Sequence, residues 1–373
     1  MSLLRRFVLD LGSSRLCQRT KSLPLLVLSL FWITGCEYLP HNPDLALSDD
    51  ELTALRQAAI PADEGILSRF HDHTFVGLGD YHFNEEFMSY ATSLVVSDEF
   101  VSRAQTVIVE FGNAKFQPLL DSYIAGEQVS RGEMLNVLRG SVFFTAWMPD
   151  VYADFFTAVR KANLSRPAHL QIKVVLAEQA FDWQQVKDSE QWQQAASNKV
   201  DGFFATVEKV IKSQQKALLI FGAFHLLRIP EGVSKALPDN ELTLASRLLR
   251  HYPGALYSVW PMAQPEIIEA LQPLSGKRLI DAQQPPFSAL RFIDLMPKAR
   301  YRLGKIDSRN APVSALFDAM LYVGPTQRRT LFPKAVIDER LWVDEMKRRV
   351  QLMGGPLESK FTQILAESEQ FYR

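Results

Sequence analysis

The chain has 373 residues, of which 47% are hydrophobic and 22% are charged. This composition excludes a disordered tail, a collagen-like fibre and a low-complexity solenoid. The 41 Lys and Arg residues nearly balance the 42 Asp and Glu residues, so the chain has no general basic field for nucleic acid and no such partner is expected. The two cysteines, Cys17 and Cys36, are too few for a disulfide framework or a thiolate metal cluster.

The first 35 residues have the pattern of a signal peptide. A basic segment precedes an uncharged run from Leu23 to Ile33, which is shorter than a stable membrane span. The run ends in Ile33-Thr34-Gly35-Cys36, which resembles the lipobox of bacterial lipoproteins. That resemblance implies that Cys36 is lipidated and anchors the chain to a membrane of the cell envelope. Because Glu37 follows the cysteine instead of Asp, the predicted location is the outer membrane, facing the periplasm.

Three segments are predicted along the chain. Residues 1–35 are the signal peptide, and residues 36–47, which contain Pro40 and Pro43, are a lipidated tether. Residues 48–373 are predicted to form one α/β domain. Its part from about 70 to 260 carries the predicted site, and its part from 261 to 373 is a more helical C-terminal extension, with a separate helical lid as the alternative.

Short runs rich in β-branched and aromatic residues alternate with segments of helical periodicity. The predicted strands are Thr74–Leu78, Thr106–Val109, Ile172–Leu176, Ala217–Phe221, Ala255–Trp260 and a short strand near Met320–Val323. This alternation predicts a mostly parallel central sheet flanked by helices. The strands lack alternating polar residues, as expected when helices cover both faces of a sheet.

Several helices have recognisable start signals. Ser48 and Ser130 each begin a capping-box pattern, because a glutamate follows three residues later. The other predicted helices are one from Asn84 or Glu85 to about Val96, Asp150–Ala162 with Pro149 at its first turn, Gln191–Lys212 as the longest, and two at about Asp338–Leu352 and Glu358–Tyr372.

Functional residues are expected directly after the strands, because ligands of open parallel sheets bind outside the carboxyl ends of the strands. Gly79-Asp80-Tyr81-His82 follows the first predicted strand, Glu110 follows the second, and Gly222-Ala223-Phe224-His225 follows the fourth. Two Gly-x-x-His motifs and a carboxylate are therefore predicted to meet at one edge of the sheet.

Two kinds of chemistry fit these residue types. His82, His225 and Glu110 could bind a divalent metal ion with an open position for water. Without a metal, one histidine could act as general base for water while Asp80 or Glu110 fixes its tautomer and the other histidine stabilises the oxyanion. The sequence contains no Gly-rich phosphate loop, Gly-x-Ser-x-Gly elbow or His-Glu-x-x-His helix, which disfavours nucleotide binding, serine hydrolysis and zincin chemistry.

The paired motifs resemble the superfamily that joins erythromycin esterases, the Tiki and TraB metal-dependent peptidases and the ChaN haem-binding lipoproteins. Gly79-Asp80-Tyr81-His82 is similar to the Gly-Glu-x-His element of that superfamily, with Asp80 in place of the usual glutamate. Glu110 falls on the second-strand glutamate, and Phe221-Gly222-Ala223-Phe224-His225 falls on the second histidine motif. The match covers about residues 70 to 230.

The branches of this superfamily imply different activities. The esterase branch implies water activation without metal, the Tiki branch implies Mn or a similar ion, and the ChaN branch implies haem, often held at a dimer interface. The predicted function is hydrolysis of an ester or amide in a small-molecule or peptide ligand, and the alternative is a haem- or iron-binding lipoprotein of the ChaN type. A divalent metal (Mn, Co or Zn), haem or no cofactor, and a homodimer, are left open at this point.

Further residues near the strand ends are candidates for binding substrate or haem. They are Tyr81, Glu85, Asn113, Asp182 and Arg228. Tyr81 could be an axial haem ligand or a packing residue, and Arg228 could bind a carboxylate or propionate or be solvated. Asp182 could line the cleft or begin a helix, and Asn113 could be an ordinary cap.

Overall fold

The computed structural model describes residues 47–263, 265–295, 310–326 and 330–373. The predicted signal peptide, the lipidation of Cys36 and nearly all of the tether lie outside the described residues. Within those ranges, no helix combines the length and the apolar character that crossing a membrane requires.

The described strands form one eight-stranded sheet. They are β1 (Ile60–Pro61), β2 (Phe75–Asp80), β3 (Thr106–Asn113), β4 (Lys173–Glu178), β5 (Ala217–Gly222), β6 (Leu256–Pro261), β7 (Arg278–Asp281) and β8 (Ala319–Tyr322). Their order is β1-β7-β8-β6-β2-β5-β3-β4. The strands from β8 to β4 run parallel to their neighbours, whereas β7 and β1 are added antiparallel at one edge. The predicted α/β fold with a mostly parallel central sheet is confirmed.

Helices cover both faces of the sheet and form the C-terminal segment. They are α1 (Asp49–Ala58), α2 (Ala62–Ser68), α3 (Glu85–Val95), α4 (Asp98–Arg103), α5 (Gln117–Ala125), α6 (Arg131–Arg139), α7 (Asp150–Leu164), α8 (Ser189–Ser197), α9 (Lys199–Lys212), α10 (Glu231–Ser234), α11 (Leu244–His251), α12 (Pro265–Ala270), α13 (Phe292–Leu295), α14 (Val313–Leu316), α15 (Lys334–Asp338), α16 (Arg340–Met353) and α17 (Gly355–Phe371).

The start signals of the helices act as the sequence predicts, with one exception. Ser48 and Ser130 form capping boxes, and the Asn84 side chain caps α3 by accepting the Phe87 N–H. The prediction of one long helix over 191–212 is wrong, because the chain leaves helical geometry at Asn198, where φ is −91° and ψ is 3°. The break makes Lys199 the first residue of α9.

Alternate residues of the central strands enter different cores. Val107 and Val109 pack with α3 and α7 on one face, while Ile108 packs with α9 and α11 on the other. Because both faces are covered by helices, every residue of β2, β3 and β5 is buried, which explains the absence of polar alternation.

The C-terminal segment is continuous with the rest of the fold. Strands β7 and β8 extend the same sheet, and β8 pairs with β6. Trp342 and Met346 of α16 and Phe361 of α17 share a core with Trp192 of α8. Leu47, the last residue of the predicted tether, is also buried against a core and so belongs to the domain.

Candidate functional site

The carboxyl ends of three neighbouring strands meet at one edge of the sheet. Strand β5 lies between β2 and β3, and its Gly222 is in register with Asp80 at the end of β2. On the other side of β5, Ile220 is in register with Val109, the residue before Glu110. The topology therefore brings both Gly-x-x-His motifs and the glutamate together.

Asp80 and His82 form an acid–base pair in which Asp80 is buried and His82 is partly buried. The Asp80 Oδ2 atom lies 2.9 Å from His82 Nδ1 and also accepts a hydrogen bond of 2.8 Å from the Tyr152 hydroxyl. Asp80 is buried, and the Trp147 ring meets the imidazole edge-on at 4.8 Å between ring centres. A carboxylate that accepts the Nδ1 proton leaves Nε2 with its lone pair, which is the form that acts as a base.

Glu110 has both carboxylate oxygens engaged. Oε1 lies 3.1 Å from Lys199 Nζ and 3.3 Å from His225 Nε2, and Oε2 accepts the Gly222 N–H at 2.5 Å. Burial opposes ionisation of this carboxyl, but the charges of Lys199 and His225 and the hydrogen bond from His225 outweigh it and hold the pKa of Glu110 well below its usual range. Glu110 is therefore the fixed negative charge of the site.

His225 is less exposed to solvent than His82, the other motif histidine. Burial lowers its pKa below the ordinary value, although the neighbouring Glu110 carboxylate acts in the opposite direction. The Phe203 ring stands edge-on to the imidazole at 5.1 Å. The imidazole is therefore enclosed between Glu110 and Phe203.

Gly222 allows the two histidine–carboxylate pairs to approach each other. A Cβ atom at this position would lie 3.0 Å from Glu110 Oε2 and 3.1 Å from His82 Nε2, which is closer than ordinary van der Waals contact. A side chain at Gly222 would therefore have to displace Glu110 or His82 slightly. His82 Nε2 faces the turn that carries the second motif.

The strand β3 is distorted where it delivers Glu110. Its register with β4 shifts between Val109 and Asn113, and Gly112 has a φ of 120°. L-residues with side chains rarely adopt this conformation, and a Cβ on Gly112 would meet Leu176 at 2.7 Å. The irregularity is a bulge-like feature of the kind that reorients side chains next to functional sites.

Glu178, at the end of β4, is a second buried carboxyl near this edge. Its Oε1 accepts the Val142 N–H at 2.9 Å. Burial raises the pKa of Glu178 to about 8, so the group is protonated and neutral at pH 7.

Replacing Glu178 with Gln is expected to remove one pH-dependent contribution to stability. The pKa of the wild-type side chain is about 8 in the folded state and 4.5 ordinarily, so between these values the folded state binds more protons than the unfolded state. The free energy of unfolding therefore falls as pH rises through this window. Gln carries no such proton, while its oxygen can still accept the Val142 N–H.

Urea unfolding of both proteins at about pH 5 and pH 8 measures this effect. The stability of Glu178→Gln relative to wild type should rise as pH rises. The control is Glu231→Gln, because Glu231 is a surface carboxyl paired with Lys235 at 2.7 Å. Parallel pH profiles for wild type and Glu178→Gln would contradict the raised pKa.

Two of the candidate binding residues serve other contacts. The Asn113 amide donates to the carbonyls of Gly140 and Phe181, both at 2.7 Å, and so fixes two loops. Asp182 forms a surface ion pair of 2.8 Å with Lys115, and the hydrogen bond from this lysine lowers the pKa of Asp182. The structure does not bring the side chains of Asn113 and Asp182 into the cluster that Glu110 forms with Lys199, His225 and the Gly222 N–H.

The remaining candidates divide between the site and its surroundings. Tyr81 is buried in the loop between Asp80 and His82, and Glu85 is the half-buried first residue of α3, so both belong to the segment that carries His82. Arg228 instead pairs with Asp318 at 2.6 Å, which ties it to the residue before β8.

Lys199 and Tyr152 were not singled out by the sequence, although both contact the predicted residues. Tyr152 is fully buried in α7, and its position in a helix gives no signal of a link to Asp80. Lys199 falls inside the helix that was predicted to be continuous. Glu178 lies two residues after the end of the third predicted strand, so the strand-end rule places it at this edge.

The described residues do not fit the divalent metal site that the sequence left open. Within residues 47–263, 265–295, 310–326 and 330–373, no group of three His, Cys, Asp or Glu side chains could hold a metal ion. Asp80 Oδ1 is a buried oxygen without a hydrogen-bond partner in the described chain, but it belongs to no such group. The glutamate oxygen that would bind a metal is instead paired with Lys199.

Haem ligation by His225 does not fit the geometry either. The residue is 6% exposed and its Nε2 faces Glu110, so the imidazole is not presented to a ligand of haem size. No contact among the described residues favours haem over water activation.

Comparisons with known proteins found solved structures of low similarity to this chain. No family model and no curated protein matches the chain. A crystal structure of a Bacillus cereus protein has a TM-score of 0.47 and 10% identity, covering 78% of this chain and 100% of that protein. A succinoglycan biosynthesis protein has a TM-score of 0.47 and 9% identity over 76% and 98% of the two chains. The type III effector HopBA1 has a TM-score of 0.37 and 13% identity over 60% and 90%. Similarities at this level carry no inference about function.

Proposed function

We propose that this protein hydrolyses an ester or amide by activating water without a metal ion. The observation that carries the proposal is the Asp80–His82 pair, with 2.9 Å between Oδ2 and Nδ1. A buried carboxylate that is itself held by the Tyr152 hydroxyl fixes both the ring orientation and the tautomer of the histidine.

The reaction proceeds through addition of water to the carbonyl carbon. His82 Nε2 accepts a proton from the water molecule while the water oxygen forms a bond to the carbonyl carbon, giving a tetrahedral oxyanion. The bond from carbon to the leaving oxygen or nitrogen then breaks, and the protonated His82 returns its proton to the leaving atom. The products are a carboxylic acid and an alcohol or amine.

Glu110 and His225 position the site in this proposal. Glu110 anchors the turn after β5 by accepting the Gly222 N–H, and it contacts His225 Nε2 at 3.3 Å. Because Gly222 lies against the His82 ring, this anchor also fixes the surface on which His82 rests. His225 is therefore assigned a positioning role and not the oxyanion role that the sequence allowed.

The cellular setting remains a prediction from the amino-terminal residues. A lipid on Cys36 would hold the domain at the outer membrane facing the periplasm, where the substrate is a small molecule or a peptide.

Asp80→Asn tests the proposed role of the pair. The amide keeps the shape of the carboxylate but no longer accepts the Nδ1 proton as an anion, so the rate is expected to fall about 100-fold or more. Initial rates of the full-length protein on p-nitrophenyl esters and p-nitroanilide amides measure the effect.

The matched control is Asp239→Asn, because Asp239 forms a similar pair with His251 at 2.6 Å on the exposed surface. The control should hydrolyse at the wild-type rate. Equal rates for Asp80→Asn and wild type, or no hydrolysis of any ester or amide by the wild type, would count against the proposal.

A further inference from the structure

The Lys199 ammonium is a nearly buried cation within the cluster that contains Glu110 and His225. Its side chain is 15% exposed, and Nζ lies 3.1 Å from Glu110 Oε1. Two aromatic rings flank it, with Nζ 4.8 Å from the ring centre of Phe143 and 5.7 Å from that of Phe203. The aromatic faces attract a cation, so the charge is stabilised by these rings as well as by the glutamate.

The dipoles of the two helices that meet at Lys199 act on its charge in opposite directions. It is the first residue of α9, whose dipole disfavours a cation there, and it lies two residues after the end of α8, whose dipole favours one. Lys209 and Lys212, in the last turn of the same helix, have the favourable placement. The observed contacts that hold the charge of Lys199 at the site are those with Glu110 and the two flanking rings.

The position also coincides with the place where a metal would bind. Two of the three predicted metal ligands, through Glu110 Oε1 and His225 Nε2, lie 3.3 Å apart, so a metal ion held by both would lie beside that glutamate oxygen. The lysine ammonium already contacts that glutamate oxygen, so a second cation would meet its positive charge directly.

We infer that Lys199 is the permanent cation of this site, taking the place of a divalent metal ion at Glu110 and polarising the substrate carbonyl. The catalytic half of this inference rests on the proposed hydrolysis, whereas the exclusion of metal does not. An ammonium has three N–H donors, so it can keep the Glu110 contact while another donor serves the oxyanion. Its charge stabilises the oxyanion electrostatically, and no proton has to leave the lysine.

Cobalt titration of the full-length protein tests the exclusion of metal without an assay for hydrolysis. Wild type and Lys199→Arg, which keep the cation, should bind Co²⁺ only weakly at this site by calorimetry or by Co²⁺ absorption. Lys199→Met removes the charge at similar length and should bind Co²⁺ at least about 10-fold more tightly than wild type. Adding Glu110→Gln to Lys199→Met should abolish the gain.

Lys212→Met is the matched control, because Lys212 belongs to the same helix and pairs with Glu208 at 2.8 Å on the surface. It should bind Co²⁺ no better than wild type. Circular dichroism and urea midpoints establish that each variant folds, and Lys199→Gln is the substitute if Lys199→Met does not. The inference is overturned if wild type binds one Co²⁺ per chain through Glu110, or if the uncharged variants bind Co²⁺ no better than wild type.

Ester hydrolysis by the same variants tests the catalytic half. Lys199→Met should lose about 100-fold or more, the size of effect seen when an oxyanion donor is removed, and Lys199→Arg should recover most of the rate. If Lys199→Met hydrolyses esters at the wild-type rate, the catalytic role of Lys199 is overturned but the proposed function stays intact. A gain in Co²⁺ affinity without any wild-type hydrolysis supports the lysine's place as the cation and contradicts the proposed function.

Discussion

His82→Gln is expected to lose nearly all hydrolytic activity, by about 100- to 10,000-fold in kcat. Glutamine has no basic nitrogen, so it cannot accept a proton from water, whereas its amide can still donate a hydrogen bond to Asp80. The loss should appear in kcat more than in KM, because the missing interaction is made in the transition state. Initial rates over a range of ester concentrations separate the two constants.

The surface histidine His251 provides the control for this variant. It also pairs with an aspartate, Asp239, but the His251 side chain is 44% exposed. His251→Gln should keep the wild-type kcat and KM. A His82→Gln protein that hydrolyses esters within a few-fold of the wild-type rate would show that the base is another group.

Glu110→Gln is expected to give the largest loss of stability, about 3–5 kcal/mol in the free energy of unfolding. The amide can still accept the Gly222 N–H, but Lys199 then keeps its charge in a nearly closed cluster without an anion. Urea unfolding monitored by tryptophan fluorescence measures the difference.

A double-mutant cycle separates the buried charge from simple loss of packing. Lys199→Met combined with Glu110→Gln should cost less than the sum of the two single changes, because the double variant leaves no unpaired charge. Glu208→Gln, which removes an exposed partner of Lys212, should change stability by less than about 1 kcal/mol. A loss below about 1 kcal/mol for Glu110→Gln would contradict the role of Glu110 as the essential counter-ion.

The central fold follows from patterns that are local in sequence. Strands β2, β3 and β5 are continuous apolar runs because both of their faces are covered, and such runs are recognisable without a partner. Strands β1 and β7 were missed because they have two and four residues and add at the sheet edge, where burial is incomplete. Their pairing depends on distant segments that no local pattern specifies.

The limits of the site prediction have the same origin. Asp80, His82, Glu110 and His225 follow strands, and the strand-end rule places them together before their contacts are known. Tyr152 lies 72 residues from Asp80 in sequence and reaches it from a helix, so its contact depends on helix packing.

Lys199 contacts Glu110 but lies inside a segment that was predicted to be one continuous helix. It is 89 residues from Glu110 in sequence, and it lies directly after Asn198, where the helix predicted over 191–212 is interrupted. The periodicity of the segment gave no sign of that interruption.

The rate of ester hydrolysis by the metal-stripped full-length protein tests the central claim most directly. After treatment with a chelator and removal of both chelator and metal, wild type should hydrolyse its best p-nitrophenyl ester at an unchanged rate, and added Mn²⁺, Co²⁺ or Zn²⁺ should not raise it. Hydrolysis that disappears on chelation and returns with one of these ions would contradict water activation by the Asp80–His82 pair alone.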